Sequence, residues 1–141
     1  MTTGPESLLG ASTAGSVGVG VIAPYDFALD RELWRWVPET VNLLLTRTPH
    51  LPLPVSVAMA EAVSEGPDVT ACARTLVETS PDVVAYACTS GSFVRGLAGE
   101  ADLCRAIEAA GVPHGITTSG ALLEAVQALV DFMKAFEKEN G

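Results

Sequence analysis

Val83–Phe93 reads VVAYACTSGSF, an apolar run followed by a thiol, two hydroxyl side chains and a glycine. Near-continuous apolar runs of this length are typical of parallel-sheet strands, because such strands are buried on both faces. In open α/β sheets, ligands bind just beyond the carboxyl ends of the strands. The sequence therefore predicts Cys88 at a ligand-binding edge, as an acid, base or nucleophile, with Thr89 and Ser90 as candidate anion-binding residues.

The same stretch also has a purely structural interpretation. Cys88 could be a buried strand cysteine, and the hydroxyls that follow could cap a helix by accepting hydrogen bonds from its first N–H groups. The two interpretations are compatible, because a helix N-terminus also stabilises an anion. Cys72 and Cys104 fall on the inward faces of predicted helices, where a free cysteine behaves as a small hydrophobic residue. Both are therefore predicted to be structural.

Strands and helices alternate along the rest of the chain. Further strands are predicted over residues 17–23, 41–48 and 112–118, although the leucines of the second also fit a helix. A short helix is predicted after the first strand, with Asp26 or Asp30 as its N-cap. Three further helices are predicted: one that begins at Pro67, one near 100–110, and one from 119 to about 136. Residues 49–54 are proline-rich and predict an extended connection. This alternation predicts an α/β fold, a four-stranded parallel sheet with helices on both faces.

The length of 141 residues is typical of one domain. Residues 17–136 are predicted to form it. Residues 1–16 are rich in Gly, Ser and Thr and predict a disordered leader. The charged residues 137–141 are predicted to be a frayed tail.

Charge and cysteine content exclude several function classes. A net charge of -9 argues against a nucleic-acid partner, because the chain repels phosphate. Three cysteines and two histidines without ligand spacing argue against a metal site or a disulfide framework, and favour the reducing cytoplasm. No apolar run reaches the roughly 18 residues that span a bilayer, so no membrane association is expected.

Polar or aromatic residues follow two other predicted strands. Pro24 and Tyr25 come after the first strand, and Thr118 and Ser119 come after the fourth. Because carboxyl ends of parallel strands meet at one edge, these residues could line the same cleft as Cys88, or Thr118 and Ser119 could only cap the last helix. The residues considered for the cleft wall are Gly91, Ser92, Thr118 and Ser119. His50 is predicted to be solvated.

Three segments of the chain together resemble one known family. They are VGVGVIAP at 17–24, CTSGSF at 88–93, and GVP at 111–113 with TTSGA at 117–121. The chain resembles the aspartate/glutamate racemase superfamily, within it the branch of maleate cis-trans isomerase, arylmalonate decarboxylase and the related ectoine-utilisation protein. The similarity covers about residues 17–129. It implies the N-terminal domain of that fold, a flavodoxin-like half-domain.

The resemblance also implies an activity. Members of the family perform cofactor-free isomerisation, racemisation or decarboxylation next to a carboxylate of a small carboxylic or dicarboxylic acid, so no cofactor is expected. Cys88 matches the first-domain cysteine, which favours isomerase-like or racemase-like chemistry over that of the decarboxylase. Thr89 and Ser90 match the carboxylate-binding pair. Pro24 and Tyr25 match the loop that lines the pocket.

Two departures from the family pattern leave alternatives open. Phe27 stands where maleate isomerases carry an asparagine, and residues 130–137 favour continued helix where the second domain and its cysteine are expected. One hypothesis is an enzyme-type domain. The other is a catalytically incomplete half-length domain, a fragment or a small-molecule-binding module that needs a second domain or partner. A homodimer with two facing copies of Cys88 could restore the cleft.

Overall fold

A four-stranded parallel sheet forms the centre of the protein. The structure is a computed structural model that describes residues 16–140, and side chains through residue 138. The predicted leader lies outside the described residues except for Ser16. The strand order is β2-β1-β3-β4, and every neighbouring pair is parallel. The strands are β1 (Val17–Ala23), β2 (Val41–Arg47), β3 (Val83–Tyr86) and β4 (Gly115–Thr117).

Helices connect and follow these strands. They are α1 (Asp30–Trp36), α2 (Val57–Val63), α3 (Gly66–Val77), α4 (Thr89–Phe93), α5 (Gly96–Glu108) and α6 (Thr118–Asn140). The predicted α/β class with a four-stranded parallel sheet is confirmed. Residues 41–47 form a strand rather than the alternative helix. Among the described residues, no helix is both long and apolar enough to cross a membrane.

The main core lies between one face of the sheet and helices α2, α3 and α5. Ile22, Val84 and Tyr86 from the sheet are fully buried there, together with Val69 of α3 and Ile107 of α5. Each such side chain contributes roughly 1.5–3 kcal/mol through removal from water. This burial explains why near-continuous apolar runs mark the strands.

Helix α1 covers part of the opposite face. Val19 and Leu43, whose side chains alternate with those of the main core, line an apolar groove of about 420 Å³ with Leu33 and Trp36. Helices therefore lie on both faces, as predicted, and on the second face α1 packs over β1 and β2.

Helix α2 was not predicted, because only the extended connection before it was recognised. Its start has a local signal, since the Ser56 hydroxyl accepts a hydrogen bond from the Met59 N–H at 3.2 Å. Its end depends on distant residues. Tyr86 Oη donates to Val63 O at 3.0 Å, and the Arg95 guanidinium donates to Glu61 O at 3.0 Å. Contacts of this kind leave no pattern within the helix itself.

The predicted caps of α1 were wrong. Leu29 occupies the N-cap position without a side-chain hydrogen bond, and Asp30 is already the first helical residue. The Asp30 carboxylate instead accepts two hydrogen bonds from Arg47, at 2.7 and 2.9 Å. The Asp30 side chain therefore forms an ion pair with Arg47, 17 positions later in the sequence, and does not cap the helix.

The last helix is longer than predicted. Helix α6 extends through Asn140, so residues 137–140 of the predicted tail are helical, and residue 141 lies outside the described residues. The helix before β4 ends as expected. Gly111 has a φ of 100° and its N–H bonds to Glu108 O at 2.9 Å, which is the role of a glycine after a helix end.

Candidate functional site

The carboxyl ends of the four strands bring most of the predicted residues to one edge of the sheet. Pro24 and Tyr25 follow β1, Cys88 follows β3, and Thr118 follows β4. These residues therefore lie at one edge of the sheet, as the strand pattern predicted.

Cys88 occupies the N-cap position of α4, and it is 8% exposed. Its Sγ lies 3.7 Å from Ser90 Oγ, within hydrogen-bond range for a sulfur atom. Its carbonyl accepts a hydrogen bond from the Ser92 N–H at 3.0 Å, which anchors the start of the helix. Helix start and thiol therefore coincide, but no side-chain hydrogen bond caps α4, so the predicted capping by the hydroxyls is wrong. Thr89 and Ser90 are exposed.

Tyr86 lies beside the Cys88 thiol, and sequence reasoning treated it only as a strand residue. It is fully buried, and its hydroxyl donates to Val63 O. Burial raises the pKa of Tyr86, and the neighbouring Cys88 sulfur raises it further. The phenol therefore stays neutral. The signal was available in the sequence, because residues two apart on a strand point to the same face.

Gly91 packs directly against the Tyr86 ring. A Cβ at position 91 would overlap the Tyr86 hydroxyl, so this position accepts only glycine without a rearrangement. Gly91 also lines a concavity of about 190 Å³ with Ser64, Arg95 and Leu103, which does not include Cys88. Gly91 is thus a packing residue between the thiol and a separate concavity.

The loops after β3 and β4 form one hydrogen-bonded unit. Ser92 Oγ donates to Thr89 O at 2.8 Å and accepts from the Ser119 N–H at 3.3 Å. Thr118 Oγ1 donates to Tyr86 O at 3.3 Å. Ser119 Oγ is buried and lacks a hydrogen-bond partner within the described part of the chain. The Ser119 hydroxyl is therefore the group of this unit that makes no hydrogen bond to another described residue.

Two residues that the sequence reasoning missed position the loop after β1. Thr48 Oγ1 accepts a hydrogen bond from the Tyr25 N–H at 3.0 Å, and Arg47 donates to Phe27 O at 2.6 Å. The Tyr25 ring also contacts the exposed His50 edge-on, with ring centroids 5.3 Å apart. His50 is therefore solvated, as predicted, but it borders Tyr25 at the candidate site.

The other two thiols form hydrogen bonds within the domain. Cys72 Sγ donates to Arg47 O at 3.4 Å, and Cys104 Sγ donates to Glu100 at 3.3 Å. Burial raises the pKa of Cys72. Burial and the Glu100 hydrogen bond raise the pKa of Cys104 to about 12. Both are structural thiols, as predicted. Within the described residues, no three His, Cys, Asp or Glu side chains form a potential metal-ligand cluster.

These raised pKa values predict a loss of stability in alkaline solution. The folded chain holds protons on Cys72 and Cys104 above pH 9, whereas the unfolded chain releases them near their ordinary pKa of 9.0. The contribution of these two thiols to the free energy of unfolding is therefore complete below pH 9 and is lost as pH rises toward about 12. Urea titrations under reducing conditions measure this slope. Cys104→Ala should flatten it, and an unchanged slope in that variant would contradict the assignment.

The fold is similar to that of two known enzymes, although neither a family model nor a curated protein matches the sequence. The maleate isomerase Iso from Pseudomonas putida S16 shares 25% identity, with a TM-score of 0.59. The match covers 81% of this chain and 50% of that enzyme. Unliganded arylmalonate decarboxylase shares 28% identity with a TM-score of 0.57, over 81% and 47% of the two chains.

A variant of the same isomerase, solved with maleate, shows the same likeness of fold. It is 24% identical, with a TM-score of 0.59, over 81% of this chain and 49% of that one. This chain thus spans about half the length of each of these proteins. It shares its fold with half of maleate isomerase and arylmalonate decarboxylase, which confirms the resemblance inferred from the sequence and is consistent with an N-terminal half-domain.

Proposed function

We propose that this chain is a maleate isomerase/arylmalonate decarboxylase-like domain for cofactor-independent thiol chemistry. The reaction is isomerisation, racemisation or decarboxylation next to a carboxylate of a small carboxylic acid. The observation that carries the proposal is the position of Cys88, at the end of β3 and within hydrogen-bond range of Ser90. The likeness to the two enzymes supports the reaction class.

In this proposal, hydroxyl groups bind the carboxylate. Thr89 and Ser90 are exposed beside Cys88. Tyr25 and Pro24 form the facing loop. A preorganised donor aimed at developing negative charge contributes about 3 kcal/mol to transition-state stabilisation. Two or three such donors would make an enediolate accessible without a metal or an organic cofactor.

The proposed isomerisation of a maleate-like acid conserves atoms and electrons. The Cys88 thiolate forms a C–S bond to one alkene carbon, and the π electron pair moves to the other alkene carbon and into its carboxylate as an enediolate. The remaining carbon–carbon bond is single and rotates. The electron pair then returns, the C–S bond breaks, and the thiolate leaves the trans alkene. Proton abstraction next to a carboxylate would use the same thiol and the same donors.

A catalytically incomplete domain is the second candidate function. The observation in its favour is that the chain spans about half the length of the neighbouring structures. Such a domain would bind a small carboxylic acid at the Cys88 edge. It would turn the acid over only with a second domain or a partner that serves the other face of the substrate.

Incubation with a panel of acids tests both candidates. The panel contains maleate, phenylmalonate and the two aspartate enantiomers, with products followed by proton NMR and binding followed by calorimetry. Turnover of at least one acid is expected for the enzyme-type domain, and binding without turnover for the incomplete domain. If neither binding nor turnover occurs at millimolar concentrations, both candidates are wrong.

A further inference from the structure

The loop between β1 and α1 has little internal structure that would hold it in place. This β1–α1 loop comprises residues 24–29 and carries Tyr25. Within it, the Phe27 N–H donates to Pro24 O at 3.0 Å. In the described part of the chain, the α1 helix that follows has no buried residue and no side-chain hydrogen bond at its N-cap. The conformation of the loop therefore depends on side chains from other elements.

The Arg47 guanidinium contacts this loop at its start, in its middle and at the first residue of α1. Its Nη1 donates to Phe27 O at 2.6 Å and to Pro24 O at 3.4 Å. Its Nη2 donates to both carboxylate oxygens of Asp30, at 2.7 and 2.9 Å. The guanidinium also lies over the Phe27 ring, 5.8 Å from its centroid. Because a guanidinium is a rigid planar fork, these contacts fix the three points relative to one another.

Thr48, the next residue, holds the same loop from the sheet side. It is buried, and its N–H donates to Ala23 O at 2.9 Å. Its Oγ1 accepts a hydrogen bond from the Tyr25 N–H at 3.0 Å. Thr48 thus fixes the chain up to Tyr25, and Arg47 fixes the part that follows. The two neighbours together define the path of the whole loop.

We propose that Arg47 is a positioning residue of the candidate site. Its guanidinium holds the β1–α1 loop so that Tyr25 borders the acid bound at the Cys88 edge. The inference rests on the proposed function, because an acid at that edge is part of it. Arg47 acts through the loop and not on the reacting atoms, since its guanidinium is bonded to loop carbonyls and to Asp30. A bidentate guanidinium–carboxylate pair supplies the geometric precision that positioning requires.

Amide exchange measured by NMR tests the positioning apart from any activity. Arg47→Gln keeps a polar side chain but removes the charged fork. The Phe27 N–H should then exchange at least about tenfold faster, through local opening of the loop. The Ala87 N–H, which bonds to β1 at 2.9 Å, should keep its rate. The matched control Arg105→Gln changes net charge equally, removes the ion pair with Asp102 on α5, and should change neither rate.

Acid binding tests whether the loop position matters to the site. In calorimetry with the same panel of acids, Arg47→Gln should raise the dissociation constant at least about tenfold, because ordering a loop on binding opposes association. Where turnover occurs, kcat should stay within about threefold, since the loop contacts the acid equally before and during the reaction. Arg47→Lys keeps the charge without the fork, and it should not restore the affinity.

Global stability should not account for these effects. The side chains of Arg47 and Asp30 are 39% and 42% exposed, and ion pairs of that exposure add little to stability. The urea midpoint of Arg47→Gln should therefore stay close to that of the wild type. A loss of affinity that only accompanies a lower midpoint would mean a structural role and would overturn the inference.

The outcomes separate this inference from the proposed function. If the wild type binds an acid and Arg47→Gln binds it equally well, the inference is wrong and the proposed function stands. Unchanged Phe27 exchange in Arg47→Gln, full affinity in Arg47→Lys, or an equal loss of affinity in Arg105→Gln also overturns the inference. If the wild type binds no acid of the panel, the proposed function is wrong, and the inference is wrong with it.

Discussion

Cys88→Ala is expected to reduce turnover of the responsive acid by at least about 10³-fold. Without the sulfur no C–S bond can form at this position, and the other two free thiols, Cys72 and Cys104, donate hydrogen bonds to Arg47 O and Glu100. Loss of a nucleophile or general acid–base group costs factors of this size or more. Binding should change much less, because the proposed carboxylate donors Thr89 and Ser90 remain. The measurements are kcat by NMR and the dissociation constant by calorimetry.

Cys104→Ala is the matched control for this loss. It removes a thiol of the same size, but one that bonds to Glu100 inside the domain. Turnover should stay within about twofold of the wild type, as is usual for a substitution outside the reacting groups. Equal turnover in wild type and Cys88→Ala would show that Cys88 takes no part in the reaction.

Thiol labelling extends the same test to a chain that binds without turnover. Burial raises the pKa of Cys72 and Cys104, so few of these thiols are ionised at pH 8 and their alkylation should be slow. Cys88 is the thiol beside the proposed acid-binding hydroxyls. Maleate should therefore slow iodoacetamide labelling at Cys88 only, as read by peptide mass spectrometry. If no acid in the panel changes the labelling rate of Cys88, the proposed site is wrong.

Gly115→Ala is expected to lower the free energy of unfolding by about 2–3 kcal/mol. Gly115 opens β4 where α5 crosses the sheet. A Cβ there would lie 2.7 Å from Cys104 O and 3.0 Å from Ile107 Cβ. The first of these atoms belongs to the helix backbone and cannot rotate away, so α5 must shift from the sheet. Urea denaturation measures the loss, which is a large share of the 5–15 kcal/mol typical of a domain.

Gly18→Ala provides the comparison within the same sheet. Gly18 is also a strand glycine, but its Cβ would meet its nearest neighbours at 3.5 and 3.6 Å, which are ordinary contacts. Its φ does not require glycine, so alanine should be neutral or stabilising by up to about 1 kcal/mol. If both variants lose the same stability, the effect comes from strand glycines in general and not from the close approach of α5.

Local pattern was sufficient for much of the fold. The apolar runs at 17–23, 41–47 and 83–86 became strands, and their carboxyl ends brought Tyr25 and Cys88 to one edge. Burial on both faces produces such runs directly, so they can be recognised one segment at a time. Helix α2 was missed although Ser56 caps its start, and its last carbonyl groups accept hydrogen bonds from Tyr86 and Arg95, far along the chain.

By itself, the sequence determined the α/β class, the parallel strands and the edge at which Cys88 lies, because each follows from short-range spacing of apolar and polar residues. Only the tertiary structure decided what surrounds that thiol. It tied the Tyr25 loop to Thr48 and Arg47, and it left Ser119 Oγ without a hydrogen-bond partner among the described residues. The contacts of the Tyr25 loop join residues at least 20 positions apart in sequence, and spacing within one segment carries no record of them.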